Sequence, residues 1–585
     1  MPVQCQQVSE VLRIRGLDSP ELEVLAPTEQ SFRALLLQPS GPIFADAQRI
    51  GHFNVAEAEI RCRKFLALAS ERGNHLVVVP EYCLPVSVLL ACAQDGPFPA
   101  PSALWVLGCE SITPAQLEEF NLAVAGYCDV IAEDDSAAPV QGTYYDAIAY
   151  CFQSRDSTGD YKRVILFQFK TCPSRDPHFF ENQHLRVGRT IYQFRGQGGH
   201  LGLSTIICSD AFTIGQDAQL CAQLTDRTTL IHIQLNPDPR HADYREYRRA
   251  TFARGLAFSN CDIVCLNWSR NVTQHDTPED VGAAWNNIGG SAWYLPVNRC
   301  STNDHEVRNN DSRGLYYSLL DRRRHVLLFH YDEAAFELRV PKVGHFGPGV
   351  LDNIQGPQVD GRYTWDPRDV SWKLDLDGPE PGLDELLSSD QGVATAFATL
   401  KATNNRLSIE RAVALSCGPQ NISETWHKVD QLESCQMKSD EIVQRITFCM
   451  DTCVEAKTLR HDRVQRVAAL NYILANDELP PQIRDLAGGG ATVTWNADSP
   501  NTNITKDGRM PALIAYIGNQ PLPERQRNLA DAAVELLRRE NGAHQRRVAV
   551  CYRKTDNTTA FVPMPALTRI DYDDSSLSAI TGAMG

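Results

Sequence analysis

Between Ser31 and Ala93 the hydrophobic spacing changes period twice, and each period predicts a different element. "SFRALLLQPS" is a compact apolar run closed by a Pro-Ser turn, which predicts a strand. From Asn54 the period becomes helical: Val55, Ala58, Cys62, Phe65, Leu66 and Ala69 fall on one face. Asn54 is placed to cap that helix, Glu57 three residues on suits a capping box, and Gly73 marks its end. "HLVVVPE" then reads as a short strand covered on both faces. Strand, helix, strand predicts an α/β layered domain.

The rhythm continues along the chain. "YYDAIAYCFQSRDSTGDYKRVILFQFK" predicts two strands joined by a hairpin at Ser157–Gly159. "GGHLGLSTIIC" and "TTLIHIQLN" predict buried strands, and "DYREYRRATFARGLAFSN" a helix followed by the strands "CDIVCLNW" and "GGSAWYLP". "RHVLLFHYDEAAFELRV" predicts a final strand pair. The expected organisation is an N-terminal extension over 1–30, a layered domain over 31–350, a Gly-, Pro- and Asp-dense linker over 351–382, and a mixed α/β domain over 383–585. In that last region helices are expected around 383–415, 439–475 and 523–541, with strands at "ALIAYIG" and "RRVAVCYR".

Composition narrows the class of protein. At 585 residues the chain is too long for one hydrophobic core. A formal net charge of −16 argues against a nucleic-acid or anionic-membrane partner, and the triplet Arg322, Arg323, Arg324 reads as a solvated turn. The most apolar stretch, "LVVVPEYCLPVSVLLACA", is broken by Pro80, Glu81 and Pro85, so it predicts strand, turn and helix rather than a membrane span. No signal peptide is visible, and 18 scattered cysteines suit reduced thiols in a cytoplasmic compartment.

Candidate chemistry lies at the ends of the predicted strands. Glu81 follows "LVVVP", Lys170 ends "VILFQF" and Cys208 ends "LSTII". Ligands of open α/β sheets bind at the carboxyl ends of strands, so the three can converge. A cysteine nucleophile needs a base or a positive charge, which a carboxylate and a lysine supply. The lysine, with the backbone N–H of Ser209, can also stabilise an oxyanion. Lys162 in "DYKRVILF" competes with Lys170 for the role; the strand-exit turn "KTCPS" favours Lys170.

These stretches resemble a known family. The Glu of "VVVPEYCLP", the Lys of "FQFKTCPS" and the Cys of "STIICSDAF" are similar, in order and spacing, to the Glu–Lys–Cys motifs of the nitrilase superfamily of carbon–nitrogen hydrolases. "FFENQHLRVG" resembles the segment that supplies a second glutamate, here Glu181, and Asp210 falls where the family carries an Asp after the nucleophile. The resemblance covers about residues 30–350. It implies a four-layer α-β-β-α sandwich, with Cys208 as nucleophile, Glu81 as general base, Lys170 as oxyanion-stabilising cation, and Glu181, Ser209 and Asp210 in support. Acids beside Lys170 would keep it protonated, and its charge would favour the thiolate.

The resemblance further implies a small amide or nitrile substrate and a homo-oligomer, dimer or larger; no cofactor, no metal and no nucleic-acid or membrane partner is expected. Acyl transfer to an acceptor other than water would use the same residues. A second reading, from a different class, is a scaffold of this fold used for partner binding or assembly, with the C-terminal region as an interaction or sensing module. The chain departs from the family at Ser209 and "AFTIG", where an aromatic and a Phe-Pro-Glu-like turn are common, and at Ser259, where an acid is common. Cys449, Cys453 and His461 lack a standard zinc spacing, "LAGGGATVT" lacks the ending of a phosphate loop, and the acids around Tyr572 read as a solvated tail.

Overall fold

The computed structural model describes residues 2–27, 30–133, 142–239, 243–244, 246–248, 251, 261–269, 272–285, 291–294, 314–318, 325–330, 332–342, 357–376, 382–388, 390–403, 406–418, 446, 454–495, 498–499, 501–538 and 546–565. The Arg322–Arg324 turn, Ser259, Cys449, Cys453, the acids around Tyr572 and the first part of the helix expected over 439–475 fall outside them.

The chain opens with β1 (Gln4–Gln7) and α1 (Val8–Ile14), followed by β2 (Ser31–Gln38), β3 (Pro42–Ala45) and β4 (Ile50–His52). Next come α2 (Val55–Arg72), β5 (Leu76–Leu84), α3 (Val86–Gln94), β6 (Leu104–Cys109), α4 (Pro114–Val124) and β7 (Asp129–Ile131). The hairpin β8 (Ala147–Arg155) and β9 (Tyr161–Phe169) leads through α5 (Glu181–His184) to β10 (Thr190–Arg195) and β11 (Gly202–Ile207). After α6 (Asp210–Gln216) and α7 (Ala218–Thr225) run β12 (Thr228–Ile233), β13 (Asp262–Leu266), β14 (Thr273–His275), β15 (Ala283–Ala284) and β16 (Ala292–Tyr294). The set closes with β17 (Gly314–Ser318), β18 (His325–Phe329), β19 (Ala334–Pro341), β20 (Gln358–Asp366) and β21 (Ser371–Leu374).

Two large sheets organise these strands. Among the described residues one runs β1-β10-β11-β12-β13-β16-β18-β17 and the other β21-β20-β19-β2-β5-β6-β8-β9-β7. Alternation along the strands assigns their faces. Ala34, Leu36, Val78, Val106, Ile148 and Val164 share a core with Ile191, Leu203, Leu230 and Ile263 of the opposite sheet. Their neighbours Leu35, Leu37, Val77, Val79, Trp105 and Leu107 instead pack with Cys62, Phe65 and Leu66 of α2 and with Val88 and Leu89 of α3. On the far side α6 and α7 cover β11 and β12. Helix, sheet, sheet and helix form four layers, the expected α-β-β-α sandwich.

The expected cap and stop hold: the Asn54 side chain accepts from the Glu57 N–H, and Gly73 ends α2 in the left-handed conformation at φ 59°. The Glu57 carboxylate, however, accepts from Asn54 Nδ2 and not from the backbone N–H that a full capping box would use. Three expectations need correction. Residues 4–7 do not stand apart as an extension but pair in parallel with β10, with Gln7 Nε2 donating to Gln193 Oε1 at 2.7 Å. A polar edge strand, "QCQQ", carries no hydrophobic period to reveal it. The expected final pair, β18 and β19, is split between the two sheets. Gln38 Nε2 holds the connector by donating to the carbonyls of His330 at 2.6 Å and Asp332 at 2.8 Å, so β19 lies along β2 instead of β18. Residues 358–374, expected within the linker, extend the second sheet as a hairpin whose Trp372 Nε1 donates to the Arg61 carbonyl.

Beyond it, α8 (Gly382–Ser388), α9 (Gln391–Ala402), α10 (Arg406–Ser416), α11 (Val454–Asn476) and α12 (Pro523–Arg538) surround small sheets. The pair β22 (Thr492–Val493) and β23 (Ile504–Thr505) is separate from β24 (Leu513–Asn519), β25 (Val548–Arg553) and β26 (Thr559–Phe561). β24, α12 and the parallel β25 make one βαβ unit. Phe397, Leu400, Val464 and Leu470 of α9 and α11 pack with Leu513, Leu537 and Val550 of that unit in one core. The C-terminal region is mixed α/β, as expected. Among the described residues no helix is long and apolar enough to cross a membrane.

Candidate active site

Glu81, Lys170 and Cys208 come from three different strands. Lys170 is the first residue after β9, and Cys208 the first after β11. Glu81 lies within β5, where the pairing with β6 slips between Val79 and Leu84 and Tyr82 takes φ 55°. Gly108 of β6 permits this kink, since a Cβ there would stand 2.1 Å from the Pro80 carbonyl oxygen. The kinked strand is held by Trp268 Nε1, which donates to the Glu81 carbonyl at 2.9 Å.

Lys170 Nζ is the centre of the site. It lies 2.7 Å from Glu81 Oε1, 2.8 Å from Glu181 Oε1 and 3.3 Å from Asp146 Oδ2. Exposures of 1 %, 1 %, 2 % and 0 % for Lys170, Glu81, Glu181 and Asp146 put all four out of water. Each acid has further anchors. Glu81 Oε2 accepts from the Leu235 N–H, just beyond β12. Glu181 accepts from the Tyr82 hydroxyl at 2.8 Å and the Ser174 N–H at 2.5 Å. The carboxylates of Glu81, Asp146 and Glu181 stand close enough together to hold a cation. Lys170 supplies that charge within the chain.

Buried charges of this kind are costly unless paired, and the pairing here fixes their protonation. Burial acts to discharge Lys170, but Glu181, Glu81 and Asp146 outweigh it and hold its pKa well above the ordinary lysine value. Three carboxylates around one ammonium leave a surplus of negative charge. Burial first, then the Glu81 charge, push Asp146 well above the usual carboxylate range. Protonated, Asp146 becomes a donor to Glu81. Glu81 is itself raised by burial, against the pull of Lys170.

Cys208 ends β11 in a strained conformation, φ 38°, in a region that non-glycine residues rarely occupy. Its N–H donates to the Ile233 carbonyl at 2.9 Å, and its carbonyl accepts from His232 Nε2 at 2.9 Å. Burial lowers the His232 pKa to about 3, so this imidazole is neutral. The Cys208 thiol meets the Tyr244 hydroxyl at 3.2 Å. Asp210 fixes the turn from the other side: it accepts from the N–H groups of Thr171, Cys172 and Ile207 and from the Thr171 hydroxyl. One carboxylate thus ties the exits of β9 and β11 together. Ser209 caps α6 and donates its hydroxyl to the Cys172 carbonyl at 2.5 Å.

One electrostatic expectation is overturned. Lys170 does favour the thiolate, but burial and the Glu81 charge dominate, and the Cys208 pKa is raised well above the ordinary thiol value. The resting group is a neutral thiol.

All six sequence-predicted residues meet at this one place. Lys162 does not: it is half exposed on the hairpin and lies 3.4 Å from Asp156. Sequence reasoning missed Asp146, Tyr82, His232 and Tyr244. Asp146 had a signal available, because β8 is antiparallel to β9 and the Lys170 N–H donates to the Asp146 carbonyl, which sets the two residues side by side.

No family model matches the chain, and no curated protein matches it. Among solved structures it is similar to a glutamine-dependent NAD+ synthetase from Acinetobacter baumannii, at 12 % identity and TM-score 0.29, over 66 % of this chain and 56 % of that one. It is also similar to an amidase from Nesterenkonia sp., at 12 % identity and TM-score 0.27, over 52 % of this chain and 92 % of that one. Nit3 of Saccharomyces cerevisiae, a member of branch 10 of the nitrilase superfamily, matches at 14 % identity and TM-score 0.25, over 46 % of this chain and 83 % of that one. These scores are low, and the four-layer fold stands on its sheet order and packing.

Proposed function

We propose that the protein is a cysteine-dependent hydrolase of carbon–nitrogen bonds, acting on a small amide through an acyl-enzyme. The observation that carries this reading is the buried ammonium of Lys170, held by three carboxylates where Cys208 leaves its strand. A dry, paired lysine and a strained cysteine are expensive features for a scaffold to keep.

In this mechanism the Cys208 sulfur attacks the carbonyl carbon while Glu81 takes the thiol proton. A neutral resting thiol makes that transfer part of the attack, so the base matters as much as the cation. Lys170 stabilises the oxyanion, and its own position is fixed by Glu181 and Asp146. Glu81 returns the proton to the leaving nitrogen, and ammonia or an amine departs. Water then attacks the thioester, with Glu81 again as base, releasing the acid and restoring the thiol. A nitrile would pass through a thioimidate at the same sulfur.

Beside α6 a cavity of about 270 Å³ is lined by Arg175, Phe212, Gly215, Asp243, Glu246 and Tyr247, and Phe212 packs at 5.0 Å on Tyr244, whose hydroxyl meets the Cys208 thiol. The test is ammonia release from a panel of small amides. Wild-type turnover should fall to background in Cys208→Ala with unchanged circular dichroism; turnover that survives the substitution refutes the assignment.

A further inference from the structure

Behind the catalytic strand lies a second cluster with different chemistry. His52 at the end of β4, Cys62 in the middle of α2 and Cys83 on β5 are all buried, and one ligand atom from each lies within 4.8 Å of the other two. The three belong to separate elements, so no local repeat accounts for their meeting. His52 Nε2 donates to the Cys83 carbonyl at 2.9 Å, and Trp268 packs against the ring at 4.8 Å. A carbonyl only accepts, so in the neutral ring that contact leaves the lone pair on Nδ1. A metal-binding histidine characteristically gives its other N–H to such an acceptor.

Space adjoins the cluster. A cavity of about 90 Å³ touches all three side chains and is also lined by Ser40, Glu57, Arg61 and Glu333. That is room for several waters beside the ligand atoms. Arg61 is the cation facing this space, and it is paired with Glu57 at 2.5 Å and Glu333 at 2.7 Å. Other buried thiols differ. Cys109 and Cys151 lie among apolar neighbours, and Cys265 meets His232 at 3.9 Å but is in no such group among the described residues.

We propose that His52, Cys62 and Cys83 form a binding site for a thiophilic divalent cation of the zinc type, with the cavity supplying an open fourth position. A tetrahedral Zn²⁺ sets its nitrogen and sulfur ligands roughly 3.5–3.8 Å apart, so contraction of at most about 1.3 Å closes the site. Binding forms two Zn–S bonds and one Zn–N bond, two thiol protons leave to solvent, and a water fills the fourth place. No electron is exchanged. The ion clips β4, α2 and β5 together behind Glu81.

The test uses the full, tag-free chain and Zn²⁺ or Co²⁺ alone. After dialysis the wild type should keep about one Zn²⁺ per chain, and Co²⁺ should give the intense near-ultraviolet sulfur-to-metal charge-transfer band. Cys62→Ser, Cys83→Ser and His52→Gln should each weaken binding by roughly 100-fold or more. Calorimetry in buffers of different ionisation enthalpy should show about two protons released per ion. A wild type that retains no stoichiometric metal and shows no charge-transfer band overturns the proposal, whatever the variants do. Folded variants that bind like the wild type also overturn it.

Discussion

Glu81 and Cys83 stand two residues apart on β5, yet they serve clusters of opposite character. On one side three carboxylates close around Lys170, so the cation they hold comes from within the chain. On the other, an imidazole and two thiols meet in apolar surroundings beside a cavity, with Arg61 already engaged by its own acids. The kink at Tyr82 lets a single strand feed both sides. Burial alone therefore says little about a cluster's role; what separates the two is that one already holds its cation and the other offers neutral ligand atoms beside a cavity.

The largest expected effect comes from breaking the complete cluster. Lys170→Met leaves three buried acids without their cation and should cost about 3–5 kcal/mol in urea denaturation, besides abolishing turnover. Lys170→Arg keeps the charge and should recover much of the stability, but not the geometry.

The next effect concerns pH. His52 and His232 are both held neutral by burial, with pKa values lowered to about 4 and about 3 from 6.5. A base whose folded pKa is depressed contributes stability that is complete above its unfolded value. That contribution is lost as pH falls from 6.5 through the folded value. Each histidine should therefore cost about 1.4 kcal/mol per pH unit in this window. Asp146 and Glu81, with raised pKa values, oppose the trend, because their contribution is lost as pH rises. Comparing His232→Gln with wild type isolates one histidine outside the His52 cluster: the slope of unfolding free energy between pH 6.5 and 4.5 should flatten by that amount.

How much of this was legible in the sequence follows from where the contacts lie. Elements with a clear hydrophobic period and a cap, such as α2, β5 and β11, were readable, and so were the polar residues at their ends. Asp146 looks like a loop acid in "YYDAIAY" until the β8–β9 register sets it beside Lys170. β1 has no apolar alternation, and β19 chooses its partner through Gln38, far away in sequence. Charge balance was hidden most deeply, because the neutral state of Cys208 depends on burial that no spacing encodes.

Smaller effects sharpen the comparison further. Tyr244→Phe removes the hydroxyl beside the Cys208 thiol and should slow acylation by roughly five- to tenfold in stopped-flow traces, with the fold intact. Lys162→Met should change neither turnover nor the urea midpoint, since its only role among the described residues is the exposed contact with Asp156.

The most direct measurement is the intact mass of the protein after rapid mixing with a pool of small amides and nitriles, followed by peptide mapping. The account predicts a mass increase of one acyl group on the Cys208 peptide, absent from Cys208→Ala and abolished in Glu81→Gln. An adduct on another cysteine, or an unmodified Cys208 while substrate is being hydrolysed, would contradict it.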